Sequence, residues 1–316
     1  MTDHRAGRIL LSVQGFNPKK WHELLSAKRE VVTEPQGESD PSIDYAVVWK
    51  HQPGILATLP NLKAIFSIGA GVDHIFADPN LPDVPIVRVV AGNLTQHMVD
   101  YVVWRVLDHQ RQGMFYRAEQ AKKSWREIAQ PASPDVSVGI LGLGELGLAA
   151  AKALKAIGFD VKGWTRTEKS VDGVETFSGE AGLTSFLNAT DILVVLLPHT
   201  PATEGIVDYE LLSKLRRDNG LGGACLINAG RGKLQKEADI LRALDDGTLK
   251  EASLDVFETE PLAATSPLWT HPRVFVTPHA AATSDARHLV PLMVEQMDRF
   301  ERGEPLQHLV DRKAGY

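Results

Sequence analysis

The 316-residue chain contains a single cysteine, Cys225, so no disulfide can form within it. A fold stapled by bridges is excluded, and so are cysteine-rich zinc sites. His271, His279 and His288 are not at metal-ligand spacing either, and no metal is implied. Long hydrophobic runs are missing as well. The longest, such as Ile192 to Leu197, fall far short of the roughly 20 apolar residues a bilayer-spanning helix needs. The start, MTDHRAGRIL, lacks the apolar stretch of a secretory signal, so a reducing cytoplasm is the expected compartment, with no membrane partner. Nor is there a basic excess. With 34 Lys and Arg against 40 Asp and Glu the net charge is -6, and a general nucleic-acid binder is disfavoured because phosphate contacts need a concentrated basic surface. No internal repeat or low-complexity run occurs.

What is present is ordinary globular material, 43% apolar and 23% charged, at a length that suits two domains. Apolar runs of four to eight residues alternate with helix-compatible segments, which predicts an α/β protein with parallel sheets. RILLSV (8–13), YAVVW (45–49), LKAIFSIG (62–69) and IVRVV (86–90) form a first set of strands. After PASPD (131–135) a second set follows: VSVGILG, DVKGWT, DILVVLLP, ACLINAG, ASLDVF and VFVTPH, six strands that suit a full Rossmann sheet. Between the sets, residues 96–127 carry Met98, Val102, Val106 and Leu107 at helical spacing. Residues 285–301 are again helical, with Leu289, Leu292, Met293 and Gln296 on one side, and are expected to pack back on the first domain.

Directly after VSVGIL comes Gly142-Leu143-Gly144-Glu145-Leu146-Gly147, and then the strong helix formers LAAAKALKAIG. In this strand–loop–helix setting Gly142 serves a tight turn. Gly144 admits the backbone close to a pyrophosphate, and Gly147 allows close packing of helix on strand. Helix-start amides then face the phosphates. About 20 residues on, where NAD enzymes place an acid for the ribose 2'-hydroxyl, stands Thr165, followed by Arg166. Without a repelling carboxylate and with a guanidinium at hand, the site suits NADP, while the nearby Glu168 keeps NAD as the alternative.

Three ionisable groups emerge from the ends of the later strands: Arg231 after ACLINAG, Glu260 after ASLDVF, and His279 at the end of VFVTPH. Strand ends carry function in such sheets. Taken singly, each has a bland reading as a surface arginine, an exposed acidic loop residue or a buried structural histidine. In the first set, the small residues of Gly69-Ala70-Gly71-Val72 expose backbone amides suited to an anion, or form a plain turn.

GLGELG, LLPHTPAT, INAGRG, LDVFETEPL and VTPHAAAT, in this order, resemble the D-isomer-specific 2-hydroxyacid dehydrogenases over essentially the whole chain. Within that family AVVW, IGAGVD, WTRTEKS and SPLWTHPRV are most similar to the bacterial A-type glyoxylate/hydroxypyruvate reductases. The resemblance implies two Rossmann-like domains with doubly wound parallel sheets: a flavodoxin-like substrate domain over 1–97 and 281–316, and an NAD(P)-binding domain over 98–280. It implies reduction of small 2-keto acids, with Arg231 binding the substrate carboxylate and polarising the carbonyl, His279 as general acid, and Glu260 orienting the imidazole. Along the cofactor it places Glu145, Leu146, Thr167 and Lys169 beside the glycines and Thr165–Arg166. His199 and Thr200 fall by the nicotinamide ribose and Asp255 near the carboxamide, and Leu197, Pro198, Thr203, Ala229 and Gly230 are implied to bind the cofactor as well. Glu145 departs from a residue that is often Arg in the family. Ala70, Gly71 and Val72 become the substrate-carboxylate loop, and Trp49 matches a position near substrate, although a strand-end aromatic serves equally as core. A homodimer is implied, to which Tyr101, Val102 and Trp104 could contribute.

Other readings stay open. One is a D-2-hydroxyacid dehydrogenase of broader or different substrate range; another is a nucleotide-sensing corepressor-type binding protein, which would call for extended tails. Glu260 stands where formate enzymes of the family carry an amide, and a phosphoglycerate dehydrogenase with a regulatory domain is not expected, since it would need a long segment after Tyr316.

Overall fold

The computed structural model describes residues 6–88 and 90–316. The first five residues of the expected non-signal start, and Val89 within the expected strand 86–90, lie outside the described residues. The chain divides into two compact units, Met1–Leu94 with Ser284–Tyr316 and Thr95–Thr283. They are called unit 1 and unit 2 below.

Unit 1 runs β1 (Arg8–Val13), α1 (Lys19–Ser26), β2 (Val31–Val32), β3 (Ile43–Trp49), β4 (Ala64–Ser67), α2 (Asp73–Phe76) and β5 (Ile86–Val87). The strands form a parallel sheet in the order β2-β1-β3-β4-β5. Both faces are covered. Tyr45, Val47 and Phe66 meet Trp21 and Leu25 on one side, and Leu10, Ala46, Val48 and Ile65 meet Leu56 and Ile75 on the other. A strand buried on both faces reads as a continuous apolar run, which is why β1, β3 and β4 stand out in the sequence. β2 does not, because it is only two half-buried residues at the sheet edge.

Next come α3 (Gly92–Gln110), α4 (Gly113–Ala121), β6 (Ser137–Leu141), α5 (Glu145–Ile157), β7 (Asp160–Thr165), β8 (Glu175–Ser178) and α6 (Gly179–Asn188). They are followed by β9 (Ile192–Val195), α7 (Tyr209–Ser213), β10 (Cys225–Asn228), α8 (Glu237–Asp245), β11 (Glu251–Leu254) and β12 (Val274–Val276). The sheet of unit 2 is parallel, in the order β12-β11-β10-β9-β6-β7-β8. It has seven strands, not the expected six. The extra one, β8, has the sequence ETFS, too short and polar to show as an apolar run, and it pairs only with β7 at the edge. The chain leaves β6 toward β7 and β8, then crosses back to β9 on the other side of β6. That reversal opens a crevice at the carboxyl ends of β6 and β9, the usual ligand position of such a sheet.

The last helix, α9 (Ala286–Glu301), belongs to unit 1, where it joins the cluster of Ile9, Leu11 and Tyr45. Its buried ridge is Ala286, Val290, Met293 and Met297, together with Leu289, whereas Leu292 is 42% exposed and Gln296 is only half-buried. The expected face was thus turned: steps of four, three and four residues follow the helical ridge, and Leu292 falls on its flank. Among the described residues no helix is long and apolar enough to cross a membrane.

Candidate active site

The glycine loop after β6 distinguishes its three glycines by what surrounds them. Gly142 has φ +111°, and a Cβ there would lie 3.0 Å from the Leu196 carbonyl oxygen. A Cβ on Gly147 would overlap the carbonyl oxygen of Gly142, so α5 can pack against the loop only without a side chain. A Cβ on Gly144 would have nothing within 4 Å. The middle glycine therefore borders open space, at the head of a thirteen-residue helix whose first amides have no intrahelical partner. This cradle fits a dinucleotide pyrophosphate: open where a phosphate would sit, closed where the backbone must hold its shape. Glu145 is exposed and Leu146 half-buried at the helix start.

At the end of β7, Thr165 is half-buried and residues 166–169 are exposed. Thr165 Oγ1 donates to the Thr167 carbonyl at 2.7 Å, and Lys169 Nζ donates to the Leu143 carbonyl at 2.7 Å, which ties this turn back to the glycine loop. After β9, Leu197 is buried, and Thr203 Oγ1 accepts the Thr200 amide (2.8 Å) and donates to the Pro198 carbonyl (2.7 Å). His199 Nε2 sits 3.3 Å from Glu204.

The arginine loop follows β10. Asn228 is fully buried; it donates to the Arg231 carbonyl and to Gln235, and accepts the Gly230 amide, while Gln235 donates to the Val256 carbonyl. Ala229 is buried, and Gly230 could not carry a side chain without meeting the Leu197 carbonyl at 3.1 Å. Arg231 itself is half-buried and donates through a terminal nitrogen to the Gly230 carbonyl at 2.7 Å. Gly232 lies so close under the Phe257 carbonyl that a Cβ would overlap it. This binds the arginine loop to the segment that carries Glu260.

His279 and Glu260 meet. The imidazole Nδ1 lies 3.1 and 2.9 Å from the two carboxylate oxygens, and Glu260 also accepts the Phe257 amide at 3.3 Å. A carboxylate partner fixes the tautomer with the proton on Nδ1. His279 Nε2 then has no hydrogen-bond partner among the described residues and is left for a reacting group. The backbone at His279 has φ +52°, a left-handed conformation that persists only where its surroundings enforce it. They do so here through its amide, which donates to the Asp255 carbonyl at 2.7 Å. Asp255 is 1% exposed, and its carboxylate accepts from Thr277 Oγ1 (2.7 Å) and from the amides of Ala280 (2.8 Å) and Ala281 (3.0 Å). It brackets the chain on both sides of His279. Tyr101 of α3, whose phenol burial pushes up to about 12, hydrogen-bonds Thr277 at 2.9 Å and extends this bracket.

Thr277 and Gln235 were not read as site residues in the sequence. Their signal is weak, polar side chains at strand ends, and their roles appear only from their partners. A second cluster, His109, Cys225 and Glu251, brings three potential metal ligands within 4.8 Å although they are far apart in the chain. His109 is already hydrogen-bonded to Glu251 and Ser253, each at 2.8 Å, and burial holds the Cys225 thiol well above its usual range.

In unit 1, Trp49 is half-buried at the end of β3 and packs on the His74 ring, with centroids 4.6 Å apart. Gly69 lies against it, since a Cβ there would overlap the Trp49 ring. Ala70 and Gly71 are half-buried and Val72 is buried.

Residues 103–281 match the model of the D-isomer specific 2-hydroxyacid dehydrogenase NAD binding domain. A glyoxylate/hydroxypyruvate reductase A of Escherichia fergusonii is 41% identical, over 98% of this chain and 99% of that one. Among solved structures, an NADPH-dependent glyoxylate/hydroxypyruvate reductase of Sinorhizobium meliloti in complex with NADP and sulfate is 47% identical with a TM-score of 0.93. A probable 2-hydroxyacid dehydrogenase of Rhizobium etli, in complex with NADP, HEPES and L(+)-tartaric acid, is 46% identical with a TM-score of 0.91. Each of these two likenesses covers 98% of this chain and 100% of the other. With a glycine cradle, a carboxylate-held histidine and near full-length relatives in agreement, the chain belongs to the D-isomer specific 2-hydroxyacid dehydrogenase family.

Proposed function

We propose that this protein uses NADPH to reduce small 2-keto acids, glyoxylate to glycolate and hydroxypyruvate to D-glycerate. The observation that carries the reading is the His279–Glu260 pair, with Nδ1 held by both carboxylate oxygens and Nε2 left to donate. When bound, the nicotinamide supplies the hydride. His279 in its imidazolium form donates the Nε2 proton to the carbonyl oxygen, and Glu260 stabilises that charged form. Arg231 offers a planar fork that pairs with the substrate carboxylate and polarises the carbonyl in the same plane, which a lysine point charge does less well. Unit 2 is the cofactor-binding half, with Gly142, Gly144 and Gly147 on the pyrophosphate and Arg166 on a 2'-phosphate. In unit 1 the amides of residues 70–72 receive the substrate carboxylate. The expected assembly is a homodimer, at twice the chain's own mass on sizing with light scattering.

The test is turnover of a panel of 2-keto acids with NADPH, by the wild type and by His279→Asn. Glyoxylate and hydroxypyruvate should exceed pyruvate in kcat/KM, and the variant should lose about 10²-fold or more in kcat with NADPH affinity nearly intact. Pyruvate as the best substrate would overturn the assigned range; an unchanged kcat would remove His279 from the chemistry.

A further inference from the structure

In unit 1 the chain passes from Ser67, the last residue of β4, through Ile68 to Val72 into α2, which is only four residues long. So short a helix contributes little dipole and little packing, and the loop needs another source of order. Side chains supply it. Ser67 is fully buried, and its hydroxyl lies 2.9 Å from the Gly69 carbonyl and 3.2 Å from the Gly71 carbonyl, so its one proton is shared between them. Behind Ser67 stands His74, with Nε2 at 3.3 Å from the hydroxyl oxygen and Nδ1 at 3.2 Å from the Lys50 amide nitrogen.

The direction of these bonds follows from chemistry. A backbone amide can only donate, so His74 Nδ1 accepts and carries no proton. In a neutral imidazole the proton is then on Nε2, where it donates to Ser67 Oγ, and the Ser67 proton is committed to the loop carbonyls. The relay runs one way, from Lys50 through His74 and Ser67 to Gly69 and Gly71. Its origin is strained into place: Lys50 has φ +47°, which positions its amide at the end of β3 next to the Trp49 ring that packs on His74.

In a trans peptide the C=O of one residue and the N–H of the next point in opposite directions. Drawing the Gly69 and Gly71 carbonyls toward Ser67 therefore turns the amides of Ala70 and Val72 away from it. Neither amide meets an acceptor among the described residues. We propose that His74 is a positioning residue for the substrate: through Ser67 it orients these two peptide planes so that the Ala70 and Val72 amides receive the substrate carboxylate. This rests on the assignment of the 70–72 loop to the substrate given above.

The test uses the full-length enzyme and whichever 2-keto acid the wild type turns over fastest. His74→Phe keeps a ring against Trp49 and removes both hydrogen bonds. Its KM for the keto acid should rise about tenfold, with kcat and the KM for NADPH within twofold, because the amides hold the carboxylate equally in ground and transition states. His74→Gln restores an N–H near the Nε2 position and should recover most of the loss. Ser67→Ala removes the last link and should match His74→Phe, and the double variant should be no worse than Ser67→Ala alone, as for groups acting in series. The imidazole nitrogen NMR spectrum of the wild type, assigned against His74→Phe, should show the Nε2–H tautomer. A KM within twofold in His74→Phe, additive effects in the double variant, or an Nδ1–H tautomer each overturns the relay. If His74→Phe does not fold, Ser67→Ala and the tautomer decide. A best substrate outside glyoxylate and hydroxypyruvate refutes the substrate range above but still measures the relay. No turnover of any 2-keto acid refutes both.

Discussion

Two loops in this molecule have the same outline, a parallel strand, a run of glycines and a helix start, yet they are held by different means. In unit 2 the loop after β6 is fixed by backbone against backbone: Gly147 against the Gly142 carbonyl, Gly142 against Leu196, and a thirteen-residue helix behind them. In unit 1 the loop after β4 has a four-residue helix behind it and is fixed by the Ser67 hydroxyl, the His74 imidazole and the Trp49 ring. Backbone packing is paid for in glycine and leaves a motif. Side-chain fixation rests on single residues outside the glycine run, Ser67, His74 and Trp49, and it can be altered one substitution at a time.

The largest effect should come from breaking the backbone-held loop. Gly147→Ala forces a Cβ onto the Gly142 carbonyl, and one of the two must move. NADPH binding, read by cofactor fluorescence, should weaken about 100-fold or more, roughly 3 kcal/mol, with the loop of unit 1 untouched. An affinity within threefold of wild type would mean the loop is as adjustable as its counterpart. Next in size is the rim of the same loop. Thr165→Asp with Arg166→Ala should turn a preference for NADPH of about tenfold to hundredfold into one for NADH, since a carboxylate repels the 2'-phosphate and accepts from the 2'-hydroxyl. Comparing kcat/KM for the two cofactors at fixed glyoxylate checks this, and an unchanged ratio would shift attention to Lys169.

A smaller effect is expected in unit 1. Gly69→Ala also creates an overlap, but with the Trp49 side chain, which can rotate aside. The KM for the keto acid should rise about tenfold or less while NADPH affinity holds. A loss of NADPH binding here would erase the contrast. The finest distinction is by pH. Each unit buries a histidine–carboxylate pair, His109–Glu251 in unit 2 and His51–Asp78 in unit 1. Burial lowers the His109 pKa, although Glu251 opposes the shift, so the unfolded chain takes up a proton first. The stability it contributes is intact above its ordinary 6.5 and declines as pH falls below that, by at most about 1.4 kcal/mol per pH unit. Asp78 behaves differently. Burial alone would raise its pKa, but the amides of Asn80 and Gly54 and the His51 ring outweigh burial, so its contribution fades only below its ordinary 3.8. Between pH 6.5 and 4.5, hydrogen exchange corrected for intrinsic rates should therefore loosen β10 and β11 before β3 and β4. Equal loosening would show that the two pairs do not set the order.

The sequence made the backbone-held features readable because they demand particular residues. Glycines at 142, 144 and 147 could be placed directly, and the doubly buried strands β6, β9 and β10 to within three residues at each end. The meeting of Glu260 with His279 followed from family resemblance, and the structure adds the Asp255 bracket and the left-handed His279 backbone, neither of which any local pattern encodes. β8 and β2 escaped because an edge strand needs no apolar run, and the buried face of α9 was misjudged because Leu292 looked like core but lies on the flank. Ser67 and His74 had no signal, since a serine and a histidine seven residues apart are unremarkable until the loop between them closes.

Since nothing larger than hydrogen fits between Gly232 and the Phe257 carbonyl, the arginine and glutamate loops travel as one piece. Laboratory selection cannot widen the space at one without displacing the other, and a clone that does so loses two functional groups at once. If residues 69–72 receive the substrate carboxylate as proposed, variants selected for bulkier acids should gather there, while positions 228–235 and 255–260 stay constant through successive rounds.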